Sequence, residues 1–259
     1  MSEKEYYQEI EFKEIQREKK VRKKKHYLAR FLIFVFICVG IGLFLSSDFF
    51  SIKKINVTGN RYYTDEEVIN MADAQTGGNL FWGAGDGKIK DRLLEDAYFS
   101  EVKLKRTLPS TITIEVVERK QVAAIAYGDK YVVIDDEGVV LRKSTINPKL
   151  TLLKGLTISK MNVGENVEAE EETVLSTTLN MLGTMEKGDI FFKRIDVSQV
   201  TIKAYIYDTL LVKGTPKQML KAIESGDLQK VINNLFKNDT TRGTINLGNH
   251  NYMSFSPTF

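Results

Sequence analysis

The apolar residues divide the chain into one long uninterrupted run near its start and a mixed region after it. The run over 28–45 has eighteen residues and a single charge, Arg30. An α-helix of that length covers about 27 Å, close to the ~30 Å hydrocarbon core of a bilayer. It exceeds the ~7–15 residues of a signal-peptide core, and Leu45 stands where cleavage needs a small residue. The pattern predicts an uncleaved transmembrane signal anchor over 28–47, with a cleavable signal peptide as the alternative.

Charge is uneven on the two sides of this run. Residues 16–30 carry eight Lys or Arg, and residues 46–60 carry two. Because the more basic flank stays inside, we expect residues 1–27 to form a weakly ordered cytoplasmic basic tail and the rest to lie outside the cell. The net charge of +3 comes wholly from residues 1–27, so a nucleic-acid-binding face is not expected. The residues expected to set topology and attract anionic lipid are Lys19, Lys20, Arg22, Lys23, Lys24, Lys25 and Arg30. A dedicated partner-binding tail is the alternative.

Residues 49–119 carry a strand–helix–helix–strand–strand pattern. Thr64 and Glu67 form a capping box that begins the first helix, and the second helix starts near Asp86. The clearest period-two alternation of the chain lies at 112–116. Two helices on one face of a three-stranded sheet would bury every apolar stripe. The pattern therefore predicts one α+β domain of β-α-α-β-β order.

Residues 120–256 predict a second, β-rich α+β domain, followed by a short C-terminal tail at 257–259. Acidic residues 135–137 before Gly138 indicate a hairpin turn, because the spacing of a calcium loop is absent. A helix is expected over 170–186, and Thr215 with Gln218 caps another. The predicted strands are 122–127, 131–134, 139–141, 191–197, 201–207, 210–213, 244–247 and 252–255.

The residue types leave little room for catalysis. The one cysteine, Cys38, falls inside the apolar run, and the two histidines are His26 in the basic tail and His250 in a predicted turn. The glycines of 83–88 lack phosphate-loop spacing, since Trp82 stands where the first glycine is required. They predict a flexible loop between helices. We expect no catalytic residue, no metal site and no cofactor, and an anchored cell-wall enzyme is the least favoured alternative.

The last two predicted strands end a β-domain, so one of them should lie at an edge of its sheet. An edge strand presents unpaired backbone groups to which a partner can add a strand. Aromatic and Met side chains are enriched in interface cores. The predicted partner-binding residues are Thr244, Leu247, Tyr252, Met253 and Phe255. The alternative, compatible with binding, is that these side chains close the domain core.

Four segments of the sequence carry a family resemblance: 50–60, 78–81, 102–119 and 131–140. The first three resemble the opening strand, interhelix segment and exit hairpin of a POTRA domain. The fourth resembles the first hairpin of the β-domain that follows POTRA in one family. In this order, after an anchor, they resemble the DivIB/FtsQ family of bacterial cell division proteins.

The resemblance implies a non-catalytic bitopic scaffold of the divisome, in the cell membrane at the division septum. It implies binding to FtsL-like and DivIC/FtsB-like bitopic proteins, with a septal penicillin-binding protein as a further partner, to stabilise or regulate septal peptidoglycan synthesis. The family's partner surface, at the C-terminal end of the β-domain, corresponds to 244–247 and 252–255. A POTRA-containing export or assembly chaperone is the alternative.

Overall fold

The computed structural model describes residues 3–83, 85–249 and 252–258, without the side chains of residues 16–26. The basic cluster at 19–25, His26 and His250 therefore fall outside the described side chains. The chain divides into two compact units. The first unit comprises Met1–Asn56, Asp73–Asp86 and Leu104–Thr113, and the second comprises Val57–Ala72, Gly87–Lys103 and Ile114–Phe259.

One helix, α1 (Glu3–Leu45), contains both the basic tail and the apolar run. Its segment Tyr27–Leu45 is 19 residues long, apolar enough to cross a membrane, and not buried inside the structure. The weakly ordered tail that the sequence predicted is wrong, because the helix extends back to Glu3. Glu, Lys, Arg and Gln favour helix, and a helix already formed extends at little cost. Glu9 and Lys13 add an ion pair of 2.8 Å at i,i+4 spacing.

The predicted β-α-α-β-β order is confirmed. It consists of β1 (Lys54–Thr58), α2 (Asp65–Ala72), α3 (Asp86–Leu94), β2 (Phe99–Thr107) and β3 (Thr111–Glu118), with the sheet ordered β1-β3-β2. The capping box begins α2: the backbone N–H of Thr64 donates to Glu67 at 2.8 Å, and Glu67 N–H returns a bond of 3.3 Å to the Thr64 hydroxyl. The bond from the Thr64 amide lowers the pKa of Glu67. The second helix begins at Asp86, as predicted, so the last residues of the predicted 83–88 loop belong to α3.

The second domain is built on a nine-stranded sheet of order β14-β13-β12-β11-β10-β7-β4-β5-β6. Its strands are β4 (Ala123–Tyr127), β5 (Lys130–Ile134), β6 (Val140–Ser144), β7 (Thr151–Lys154), β10 (Arg194–Asp196), β11 (Ile202–Tyr207), β12 (Leu210–Gly214), β13 (Gly243–Leu247) and β14 (Met253–Ser256). A two-stranded ladder joins β8 (Ile158–Lys160) to β9 (Glu168–Ala169). The sequence did not predict β7, β8 or β9. Of these, β7 lies between β4 and β10 and runs parallel to both.

Three helices cover one face of this sheet: α4 (Glu172–Lys187), α5 (Pro216–Glu224) and α6 (Asp227–Lys237). The core between them includes Phe192, Met219 and Ile245, each fully buried. The capping box of α5 is present, and in it the backbone N–H of Gln218 donates to the Thr215 hydroxyl. The helices α5 and α6 are separated at Gly226, whose φ of +71° favours glycine. The α+β fold class predicted from sequence is therefore confirmed.

Within the second unit, Arg119 fixes the end of β3 to the turn between β5 and β6. Its guanidinium donates to the carboxylates of Asp135 and Glu137, both at 2.7 Å. Asp135 is buried, and its other oxygen accepts from the backbone N–H of Val139 at 2.7 Å. Burial lowers the pKa of Arg119, but its bonds to Glu137 and Asp135 outweigh burial, so the pKa is raised. The predicted hairpin turn is present, and it also carries this ionic connection.

We predict that Asp135→Ala destabilises the second domain by about 3 kcal/mol, because it leaves the buried Val139 amide without its acceptor and removes the buried carboxylate partner of Arg119. Native-state hydrogen exchange on the full chain should show faster exchange at the Val139 amide. The exposed neighbour supplies the control: Asp136→Ala should change stability by no more than about 0.5 kcal/mol. Equal effects of the two substitutions would show that the Arg119 connection is not what holds the turn.

Candidate partner-binding edge

The strand β14 forms one outer edge of the nine-stranded sheet, as the sequence predicted for one of the two last strands. It pairs antiparallel with β13, with Leu247 opposite Met253 and Ile245 opposite Phe255. The strand β13 in turn runs parallel to β12. Within the sheet, the C-terminal hairpin is therefore paired with the other strands through β13 alone.

The hydrogen-bond phase of this hairpin determines which backbone groups face the open side. The N–H of Gly248 donates to the carbonyl of Tyr252 at 2.7 Å, so these two residues form a hydrogen-bonded pair. Bonded and non-bonded pairs alternate along an antiparallel ladder. The N–H and C=O groups of Met253 and Phe255 therefore point away from β13. A strand that approached this edge would find them at hydrogen-bonding positions.

The other outer strand of the sheet, β6, is covered at its start by a following segment. The Val140 N–H donates to the carbonyl of Glu165 at 2.9 Å, and the Gly164 N–H donates to the carbonyl of Val140 at 2.8 Å. A bridge between Val139 and Asn166 extends this cover. Among the described residues, no backbone bond beyond the β13–β14 ladder involves Met253 or Phe255. The two edges of one sheet thus differ in their protection.

The side chains of the edge divide into core and surface positions. Leu247, Met253 and Phe255 are half-buried and pack against the hydrophobic core. Thr244 is half-buried opposite Ser256. Tyr252 is 69 % exposed. The alternative from sequence, that these residues close the core, therefore holds for the three half-buried apolar side chains. Tyr252 has the ring most accessible to a partner.

A cleft of about 200 Å³ lies beside the hairpin, between α5 and the turn that joins β13 to β14. On the hairpin side it is lined by residues 247–249, Tyr252 and Met253, and on the helix side by Lys217 and Lys221 among others. The side chain of Gln218 in α5 donates to Asn249 at 3.3 Å, which joins the two sides. The sequence predicted α5 but not its place next to the hairpin, because that placement depends on contacts distant along the chain.

The remaining predicted residues lie elsewhere or are not described. Arg30 is exposed on α1, near the start of the apolar segment. The cluster from Lys19 to Lys25 lies outside the described side chains. Within residues 3–83, 85–249 and 252–258, no group of three or more His, Cys, Asp or Glu is placed to hold a metal ion. The edge of β14, with its outward-facing backbone groups, is the candidate functional surface.

Three features define the class of this protein: an apolar N-terminal helix that suggests a membrane anchor, a β-α-α-β-β domain and a β-rich domain. They are the features of an anchored POTRA-domain protein. Residues 50–119 match the model of the POTRA domain, FtsQ-type. The chain is 31% identical over 185 residues to cell division protein DivIB of Clostridium acetobutylicum, covering 70% of this chain and 73% of the relative. The chain belongs to the DivIB/FtsQ family of bacterial cell division proteins.

Two other relatives agree with this assignment. Cell division protein DivIB of Clostridium botulinum is 28% identical over 215 residues, covering 80% of this chain and 83% of the relative. Cell division protein DivIB of Bacillus subtilis is 24% identical over 202 residues, covering 78% and 74%. The resemblance found in the sequence is confirmed, and the relatives support a role in the divisome.

We predict that Gly243→Ala loosens the C-terminal hairpin. Gly243 has a φ of +139°, and an added Cβ would lie 2.5 Å from the ring of Phe255. Strain and overpacking together should destabilise the hairpin by about 2 kcal/mol, which hydrogen exchange at the Ile245 amide would detect.

Gly164→Ala provides the matched control. Gly164 also has a positive φ, +85°, but an added Cβ there would meet open space. It should show only the backbone strain, about 1 kcal/mol. If Gly243→Ala cost no more than this control, the Phe255 ring would not be seated against Gly243 as described.

Proposed function

We propose that the chain is a non-catalytic scaffold of the divisome that binds FtsL-like and DivIC/FtsB-like bitopic division proteins. The observation that carries this proposal is the open edge of β14, which offers backbone groups of Met253 and Phe255 to an added strand. Binding there would hold the partners together at the septum and so stabilise or regulate septal peptidoglycan synthesis. A septal penicillin-binding protein would then be a further partner, reached through the same complex.

The anchor and the charge around it support an orientation with the N-terminus in the cytoplasm. Eight Lys or Arg lie in residues 16–30, on the N-terminal side of the span, and two lie in residues 46–60. The positive-inside bias then directs both the POTRA domain and the β-rich domain to the extracytoplasmic side. Exported segments of bitopic partners would meet them in that compartment.

An open edge is a liability that most sheets cover, since it can pair with other chains. In this sheet residues 164–166 cover the start of β6 at Val139 and Val140, while no described residue covers β14. Backbone pairing supplies affinity, and neighbouring side chains supply specificity. The exposed ring of Tyr252 and the cleft beside α5 supply such side-chain contacts. These features favour strand addition as the mode of binding.

We predict that Met253→Pro weakens binding of the exported segments of FtsL-like and DivIC-like proteins by about tenfold or more. Proline removes an N–H that points to the open edge and leaves the β13–β14 ladder bonds in place. Affinity would be measured by titration of the full chain in lipid nanodiscs. Met253→Leu keeps both the N–H and an apolar side chain, so its affinity should match that of the unaltered chain.

The outcome is interpretable only if both variants keep the hairpin, which the exchange rate of the Ile245 amide would establish. If folded Met253→Pro bound as tightly as Met253→Leu, strand addition at β14 would be excluded. Tyr252→Glu tests the side-chain contribution separately and should also reduce affinity, because Tyr252 is exposed and its replacement leaves the core intact.

A further inference from the structure

A cluster of five aromatic rings, all within the first unit, joins the end of α1 to the loop between α2 and α3. The ring centroids of Phe44 and Phe50 are 5.3 Å apart, those of Phe50 and Phe81 5.3 Å, and those of Phe81 and Trp82 5.8 Å. Phe49 lies 5.0 Å from Phe50. We name these residues the membrane-proximal cluster. It connects the last turn of the apolar helix to Trp82 by short ring-to-ring steps.

Backbone hydrogen bonds hold the loop 77–83 against the segment that follows the anchor. The N–H of Ile52 donates to the carbonyl of Gly78, and the N–H of Gly77 donates to the carbonyl of Ile52, both at 2.8 Å. The N–H of Leu80 donates to the carbonyl of Phe50, also at 2.8 Å. The position of the loop relative to the start of the exported chain is therefore set by the backbone.

Asn79 connects the loop directly to the end of the membrane segment. Its side-chain Nδ2 donates to the carbonyl of Leu45 at 2.8 Å, and its Oδ1 accepts from the N–H of Phe81 at 2.9 Å. The last carbonyls of a helix lack partners within the helix, and they are costly to leave unpaired near lipid. Asn79 satisfies one of them and places the loop at the level of the last apolar residue of the span.

Three rings of the membrane-proximal cluster are exposed. Trp82 is 62 % exposed, Phe44 58 % and Phe49 57 %. Apolar ring surface is stabilised when it leaves water for an apolar surrounding. Trp is enriched at membrane–water interfaces, where its ring lies among apolar groups and its N–H meets polar ones. Continuity with the anchor selects lipid as the occupant of this surface, since Phe44 belongs to the span itself.

We infer that the loop 77–83 lies in the lipid headgroup region at the C-terminal end of α1, with the ring of Trp82 inserted at the acyl-chain boundary. This inference rests on the membrane anchoring in the proposed function and is independent of partner binding at β14. Its consequence is that the exported chain is held at the bilayer surface by a second contact, in addition to the span.

Trp82 is the single tryptophan of the chain, so its fluorescence reports this site alone. The full chain would be reconstituted in vesicles of phosphatidylglycerol and phosphatidylethanolamine. Some vesicles would carry lipids brominated at the shallow end of the acyl chain, and others lipids brominated at the deep end. We expect shallow bromines to quench Trp82 at least about twofold more than deep ones, with weak quenching by aqueous iodide, as an interfacial Trp requires.

Two variants make the experiment decisive. Trp82→Phe combined with Phe34→Trp moves the probe to the middle of the span and should be quenched most by deep bromines. Asn79→Ala removes the bond to Leu45, and we expect about twofold more quenching of Trp82 by iodide.

The outcomes separate the inference from the anchor on which it rests. If the tryptophan introduced by Phe34→Trp were not quenched by deep bromines, the membrane anchoring itself would be wrong. If that probe behaved as expected but Trp82 were open to iodide and insensitive to both brominated lipids, the loop would not lie in the bilayer. Shielding of Trp82 that appeared only after addition of membrane-extract proteins would mark a protein contact and also overturn the inference.

Discussion

The apolar half of α1 constrains everything that follows it, because nineteen residues without internal burial need a nonaqueous surrounding. In hydrocarbon a helix satisfies its own backbone hydrogen bonds, which is why a single helix can supply the anchor. The last carbonyls of the helix have no partner within it, and the side chain of Asn79 donates a hydrogen bond to one of them, that of Leu45. The first residues after the apolar segment, the interhelix loop and the membrane-proximal cluster are thereby arranged around the end of this helix.

The second unit is rigid where it supports a surface and open where it offers one. Arg119 and the buried carboxylate of Asp135 hold the turn next to the end of β3. Residues 164–166 cover the start of the edge strand β6, and the three helices cover one face. The edge at β14 keeps outward-facing backbone groups at Met253 and Phe255. A stable sheet with one accessible edge is suited to recruiting extended segments of other proteins.

Local signals in the sequence predicted the elements that depend on neighbouring residues. The capping boxes at Thr64 and Thr215 predicted the starts of α2 and α5, and alternation at 112–116 predicted β3. Four-residue β7 was missed because it is defined by parallel pairing with strands distant in sequence. The helical tail was missed because its apolar residues form no clear helical stripe, although its Glu, Lys, Arg and Gln residues favour helix.

The candidate site was predictable only in part, because some of its features depend on the order of elements and others on contacts between distant residues. Its place at the chain's last strands followed from the order of elements, and the outward direction of Met253 and Phe255 required the observed register. The cleft beside α5 and the link between Gln218 and Asn249 join residues 31 positions apart. For residues 77–83 the sequence predicted only a break between two helices. The hydrogen bond that attaches this loop to Leu45 required the structure.

The central claim, that an anchored scaffold offers the edge of β14 to other division proteins, is tested most directly by hydrogen exchange on the full chain in nanodiscs. Exchange would be followed with and without the exported segments of FtsL-like and DivIC-like proteins. The account predicts that the partners slow exchange at the amides of Met253 and Phe255, whose N–H groups would become hydrogen-bonded. Saturated binding with unchanged exchange at both amides would contradict it.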